Sequence, residues 1–159
     1  MNKTRALIAV AVIVLVAGVV LGVDAWQRSR AVELVPGSIP IYLDGTLAGG
    51  FLPTDLEVLE GASFVDAEEG KTQEGWLLRD VLLLRLKKSA LQPDTRIVVS
   101  SSSRDKSVEL TWAEVEDTAN NVMFDLSGRG TLKLVSTLER LDVRDEWVQD
   151  VDRIEITTR

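Results

Sequence analysis

The 159-residue chain has a formal charge of −7, unevenly divided: four basic and one acidic side chain in the first thirty residues, fourteen basic against twenty-four acidic thereafter. A second part that acidic is repelled by phosphate backbones and anionic lipid surfaces, which sets nucleic-acid binding aside. Cysteine and histidine are both absent. That removes disulfides, thiolate chemistry, the commonest general base and the usual zinc ligands.

Residues 1–5, MNKTR, form a short positive flank. Ala6 to Val23 follows, eighteen residues without a charged or polar side chain. At a rise of about 1.5 Å per residue this run reaches roughly 27 Å, close to the hydrocarbon thickness of a bilayer. The chain therefore reads as a cytoplasmic amino terminus (1–5), a transmembrane signal-anchor helix (6–23), a linker (24–38) and an extracytoplasmic domain (39–159). The positive flank favours this orientation, and Trp26 stands where an interfacial anchor belongs; Arg28 and Arg30 argue mildly against it. A cleaved signal peptide is the rival reading, because Val23-Asp24-Ala25 offers small residues at the positions a signal peptidase inspects. The apolar run exceeds the roughly 7 to 15 residues of such leaders, and its length favours the uncleaved anchor. Gly18 and Gly22 have the G-x-x-x-G spacing that permits close helix contact.

The linker ends in Pro36-Gly37. Ile39 to Leu43, IPIYL, is β-rich and closes on the turn signal Asp44-Gly45; Pro40 points to an edge strand or a strand start. Thr46 to Gly50 continues extended to a Gly-Gly break. Thr54 opens a short helix, TDLEVLE, with Glu57 at capping-box spacing. Ser63 to Ala67 is a strand candidate, and Asp66, Glu68, Glu69 and Gly70 suggest a solvated turn. Gly75 to Leu86, GWLLRDVLLLRL, predicts the hub helix of the domain: Leu78, Leu82 and Leu86 recur every four residues, with Leu77, Val81 and Leu84 beside them. Thr95 to Ser100 and Lys106 to Leu110 are strands around a polar SSSRD connection. Thr111 caps a third short helix, TWAEVE, with Glu114 in the capping-box position. Val122 to Leu126, Leu132 to Val135 and Val151 to Thr157 complete the strands, the first two joined by a turn at Gly128-Arg129-Gly130. Short strands irregularly interleaved with about three short helices indicate an α+β domain with mixed or antiparallel sheets.

The order IPIYLDG, TDLEVLE and then EGWLLRDVLLLRL resembles the opening of the molybdopterin-binding domain of the sulfite oxidase superfamily. Gly75, Leu78, Asp80, Leu82 and Leu83 approximate its G-x-x-L-x-D-L-L helix. LTWAEVED, GRGTLKLVS and the closing WVQDVDRIEIT are similar to its later segments, so the resemblance covers about residues 39 to 157. It implies a sulfite-oxidase-like fold. In catalytic members a cysteine thiolate binds molybdenum, and histidine and arginine side chains help hold the pterin phosphate. With no cysteine or histidine here, no functional residue carries over, and the resemblance implies a small stand-alone form without the metal chemistry.

Candidate sites are few. Ser103 and Lys106 have the S-x-x-K spacing of some hydrolases, but that chemistry needs a helix start over a buried cleft, and these residues fall in a polar connection. Asp142, Asp145, Glu146, Asp150 and Asp152 form an acidic cluster without the ligand spacing or central glycine of a calcium loop. Arg140, Arg144 and Arg153, interleaved with it, are expected to neutralise it as a solvated, internally paired loop. Trp112 is expected in the core, Trp76 in packing, and Trp147 in either core or a binding surface. Glu68 and Glu69, adjacent on an extended chain, are expected to diverge and so not to act as a hydrolytic pair. No catalytic, cofactor-binding or metal-binding residue is assigned, and no cofactor is expected. The expected function is a non-enzymatic, membrane-anchored module, an accessory or docking subunit with membrane-protein partners reached through Ala6–Val23 and the acidic domain. A molybdopterin-type oxidoreductase domain and a small-ligand sensor head are the alternatives.

Overall fold

The computed structural model describes residues 34–158. The expected transmembrane helix Ala6–Val23, its positive flank and most of the linker lie outside them. Among the described residues no helix is long and apolar enough to cross a membrane.

Among the described residues nine strands form two sheets. The first sheet contains β1 (Ile39–Leu43), β2 (Thr46–Phe51), β5 (Arg96–Ser101), β6 (Lys106–Thr111) and β9 (Arg153–Thr157), in the order β2-β1-β9-β5-β6. The second contains β3 (Ala62–Val65), β4 (Thr72–Leu77), β7 (Met123–Leu126) and β8 (Leu132–Val135), in the order β3-β4-β7-β8. All neighbours are antiparallel except β1 and β9, so the first sheet is mixed. Two α-helices, α1 (Leu78–Leu83) and α2 (Trp112–Glu116), and a 3-10 helix at Pro53–Val58 stand at the three places where helices are expected. The architecture is α+β, as composition and pattern indicate.

Period-two alternation makes the strands. In β5 Ile97, Val99 and Ser101 are buried while the residues between them are not, and in β9 Ile154 and Ile156 point inward between exposed neighbours. The first sheet, α1, α2 and one face of the second sheet enclose the main core, in which Ile41, Phe51, Leu56, Leu78, Leu82, Trp112, Phe124 and Leu134 are essentially sequestered from water. The other face of the second sheet has a smaller cluster, Met123, Val135 and Trp147, against which Ala62, Phe64 and Leu77 pack.

Three expectations are corrected or narrowed. The hub is half strand and half helix: Gly75, Trp76 and Leu77 belong to β4, and α1 spans only Leu78–Leu83. Gly75 explains the change. A Cβ there would lie 1.8 Å from the Phe124 carbonyl oxygen, so glycine lets β4 approach β7, and the sheet contact overrides the local helical periodicity. Secondly, of the two readings of Pro40 the strand start holds: Pro40 is the second residue of β1, which lies between β2 and β9 and is not an edge. Pro40 is tolerated because the β1–β9 pairing begins only at Ile41, so its missing N–H falls outside that ladder. Thirdly, Thr54 does not cap the first helical segment. Leu52 holds the cap position, Pro53 follows it, and the Asp55 carboxylate accepts the Leu52 N–H at 3.0 Å. The Thr111–Glu114 capping box forms as expected, with Thr111 N–H donating to Glu114 Oε2 at 2.8 Å and Glu114 N–H to Thr111 Oγ1 at 3.3 Å.

Candidate functional site

The structure separates the sequence candidates. Ser103 lies in the connection between β5 and β6, its Oγ 3.2 Å from Ser101 Oγ. Lys106 begins β6 and donates its Nζ to the Asp145 carbonyl. The two side chains have different partners and make no nucleophile–base pair.

The acidic cluster is dispersed. Asp150 accepts from Thr131 Oγ1 and Arg104 Nε, both at 2.7 Å, and from Arg129 Nη2 at 3.1 Å. These donors, the threonine first, hold its carboxyl below the usual carboxylate range. Asp152 Oδ2 accepts the Ser102 N–H at 2.8 Å. Pairing was expected from the interleaved arginines, but those go elsewhere: Arg140 to Glu114 at 2.7 Å, Arg144 to Glu69 at 2.6 Å, and Arg153 to Glu155 at 2.5 Å. Sequence neighbours point apart along irregular backbone, and chain distance gave the wrong partners. Among the described residues no group of three carboxylates is arranged to hold a metal ion.

Trp112 is core, 1% exposed. Trp76 is half-buried and packs against the main core. Trp147 is buried, its indole N–H donating to the Leu141 carbonyl at 2.8 Å, and it also faces a cleft. That cleft, about 590 Å³, lies among the Asp66–Lys71 turn, the β7–β8 hairpin and the segment around Arg144, and Glu68, Glu69, Asp125, Lys133, Arg144 and Trp147 are among its walls.

A continuous polar network runs along its base. Gln73 Nε2 donates to Asp66 Oδ2, and Lys133 Nζ donates to Gln73 Oε1, both at 2.9 Å. Lys133 also pairs with Asp125 at 2.9 Å and lies 4.9 Å from the Trp147 ring centroid, while the Arg144 guanidinium lies 5.7 Å from it. Such cation–ring contacts add to ring packing. Asp66 is buried, not part of a solvated turn, because the Glu69 N–H (2.6 Å), Gln73 and the turn backbone all bond to its carboxylate or frame it. The Glu69 N–H is the largest cause of its depressed pKa; burial opposes it without winning. Glu68 and Glu69 also differ from expectation. They converge on Arg144, Glu68 accepting its backbone N–H at 3.0 Å and Glu69 its Nη1 at 2.6 Å, because Ala67 to Glu69 is turn rather than extended chain. Glu69 is held below its ordinary range first by Lys71 and then by Arg144.

The network was missed in sequence because its members are sixty residues apart. One signal was legible: Lys133 alternates with Leu132 and Leu134, which places it on the sheet face opposite those leucines. Chemically, each cation of the cleft is already engaged by a carboxylate, and each carboxylate at its base accepts a fixed donor. That arrangement orders a surface; it does not poise a nucleophile or a base. No protein-family model matches the chain, and no curated protein is significantly similar to it.

Proposed function

We propose that the chain is a non-enzymatic, membrane-anchored module whose acidic domain docks other proteins outside the cytoplasmic membrane. The observation carrying this reading is the Ala6–Val23 run, of membrane-spanning length, joined to an acidic domain whose cleft side chains are paired with one another. The network from Asp66 through Gln73 and Lys133 to Asp125 fixes the β4–β7–β8 surface and supplies no free reacting group. A molybdopterin oxidoreductase fits the residues poorly. The chain has no thiolate to offer a metal, and Arg104, Arg129 and Arg144, which would suit a pterin phosphate, are engaged by Asp150 and Glu69.

Purification of the full chain in mild detergent, followed by mass spectrometry of the intact complex, tests the proposal. A stoichiometric assembly with a second protein is expected. A strictly monomeric, partner-free chain, or one containing stoichiometric molybdenum, would overturn it.

A further inference from the structure

The two sheets present four edge strands, and three are blocked. On β2, Arg85 Nε donates to the Gly50 carbonyl at 2.8 Å, and Leu34 lies against Gly50. On β6, Arg140 Nη2 donates to the Glu109 carbonyl at 3.2 Å, and Lys106 reaches across to the Asp145 carbonyl. On β8, Leu134 donates to Val148 at 2.8 Å and Val151 to Leu132 at 2.9 Å. Only β3 has neither a side chain nor a crossing segment bonded to its outer edge among the described residues.

The register of β3 shows which groups are free. Asp66 N–H donates to the Lys71 carbonyl at 2.9 Å, and the β3–β4 pairing continues as 65–72, 64–73, 63–74 and 62–75. In an antiparallel ladder bonded and non-bonded pairs alternate, so Phe64 and Ala62 turn their backbone groups toward β4. Ser63 and Val65 turn theirs outward. An edge with free N–H and C=O groups is a template for another strand, and native proteins ordinarily block it.

The side chains beside this edge define what fits. Ser63 and Val65 share a sheet face with Glu74 and Trp76, their cross-strand row continuing to Leu126. Val65 is 62% exposed and Leu126 45%. An open groove of about 410 Å³ runs over Gly61, Ser63, Glu74 and Trp76. Its charge is acidic: Glu60 and Glu74 are exposed and have no ion pair among the described residues. The flanking cations are taken, Lys71 by Glu69 at 2.6 Å and Arg79 by Asp80 at 2.9 Å. A second copy of the chain is a poor occupant. Antiparallel pairing of two β3 strands about Phe64 would set Glu60 opposite Glu68 of the other copy, twice, and like charges facing each other across strands repel.

We infer that β3 is a docking edge for an extended segment of a partner protein in which apolar residues alternate with lysine or arginine. The segment adds as a fifth strand. Its backbone bonds Ser63 and Val65; on one face its apolar residues lie beside Ala62 and Phe64, and on the other its cations reach across Ser63 to Glu74 with their stems over Val65 and Trp76. This rests on the docking reading above, but its test does not depend on the membrane anchor.

The probe is a nine-residue synthetic peptide alternating lysine and valine, titrated into the ¹⁵N-labelled full chain in detergent micelles. Two control peptides accompany it: one with glutamate in place of lysine, and one with the same charge but proline at two central valines. Hydrogen exchange at Ser63 and Val65 should slow by about tenfold or more with the basic peptide and by neither control. Ser63→Pro, which removes an outward N–H while leaving the rungs to β4, should abolish the protection; Glu74→Lys should weaken it at least tenfold in peptide concentration. Equal effects from the proline peptide, protection at other edges, no protection, or slow exchange with a dimer in the absence of peptide would each overturn the inference. A failed purification of a complex alongside positive peptide results would count against the anchored-module reading and leave the edge intact.

Discussion

Gly75 is the residue on which the meeting of β4 and β7 depends. A methyl group there would overlap the Phe124 carbonyl at 1.8 Å, and the obstacle is backbone, which cannot swing aside. Gly75→Ala is therefore expected to destabilise the domain severely, by more than about 3 kcal/mol, in urea titration, whereas Gly128→Ala, which meets nothing within 4 Å, should be nearly neutral. At Thr111 the loss is smaller. Thr111→Ala removes the oxygen that accepts the Glu114 N–H and should cost about 1 kcal/mol by the same measurement. Phe124, fully buried and 6.2 Å from the Phe51 ring centroid, should cost about 3–5 kcal/mol on truncation to alanine.

At the scale of elements, strands were more legible in the sequence than helices. Leu132–Val135 was expected and found, because two alternations with a lysine between leucines leave little choice of face. The GWLLRDVLLLRL run misled for a definite reason. Leu78, Val81 and Leu82 do line one side of a helix, but Trp76 and Leu77 take their conformation from cross-strand pairing with Phe124 and Met123, nearly fifty residues away. The same limit hid the site. Asp66, Gln73, Asp125 and Lys133 are unremarkable polar residues until the register of β3, β4, β7 and β8 stacks them, and nothing local encodes that register. Edge blocking was equally invisible: nothing local in the sequence shows that Arg85 and Arg140 bond the backbones of β2 and β6.

For the whole molecule, charge is the controlling quantity. Asp44, Asp66, Glu69 and Asp150 all have depressed pKa values, caused chiefly by donors from Thr158, the Glu69 N–H, Lys71 and Thr131 respectively. A carboxylate with a depressed folded-state pKa stabilises fully above its unfolded value of about 4 and loses that contribution as pH falls through the folded value. With no histidine to titrate near neutrality, stability from these groups should be level between about pH 8 and pH 5 and decline below about pH 4. Thermal unfolding across that range checks this, and Asp66→Asn should be less stable at neutral pH with a shallower acid limb.

Where the acidic domain resides decides whether it can dock partners outside the cytoplasmic membrane. Intact cells or spheroplasts treated with an external protease, with the full chain detected by a carboxy-terminal epitope in the membrane fraction, measure that directly. Loss of the epitope from a membrane-bound chain, with cytoplasmic controls spared, is the expected result. An epitope protected until the cells are lysed, or a chain recovered in the soluble cytoplasmic fraction, would contradict it.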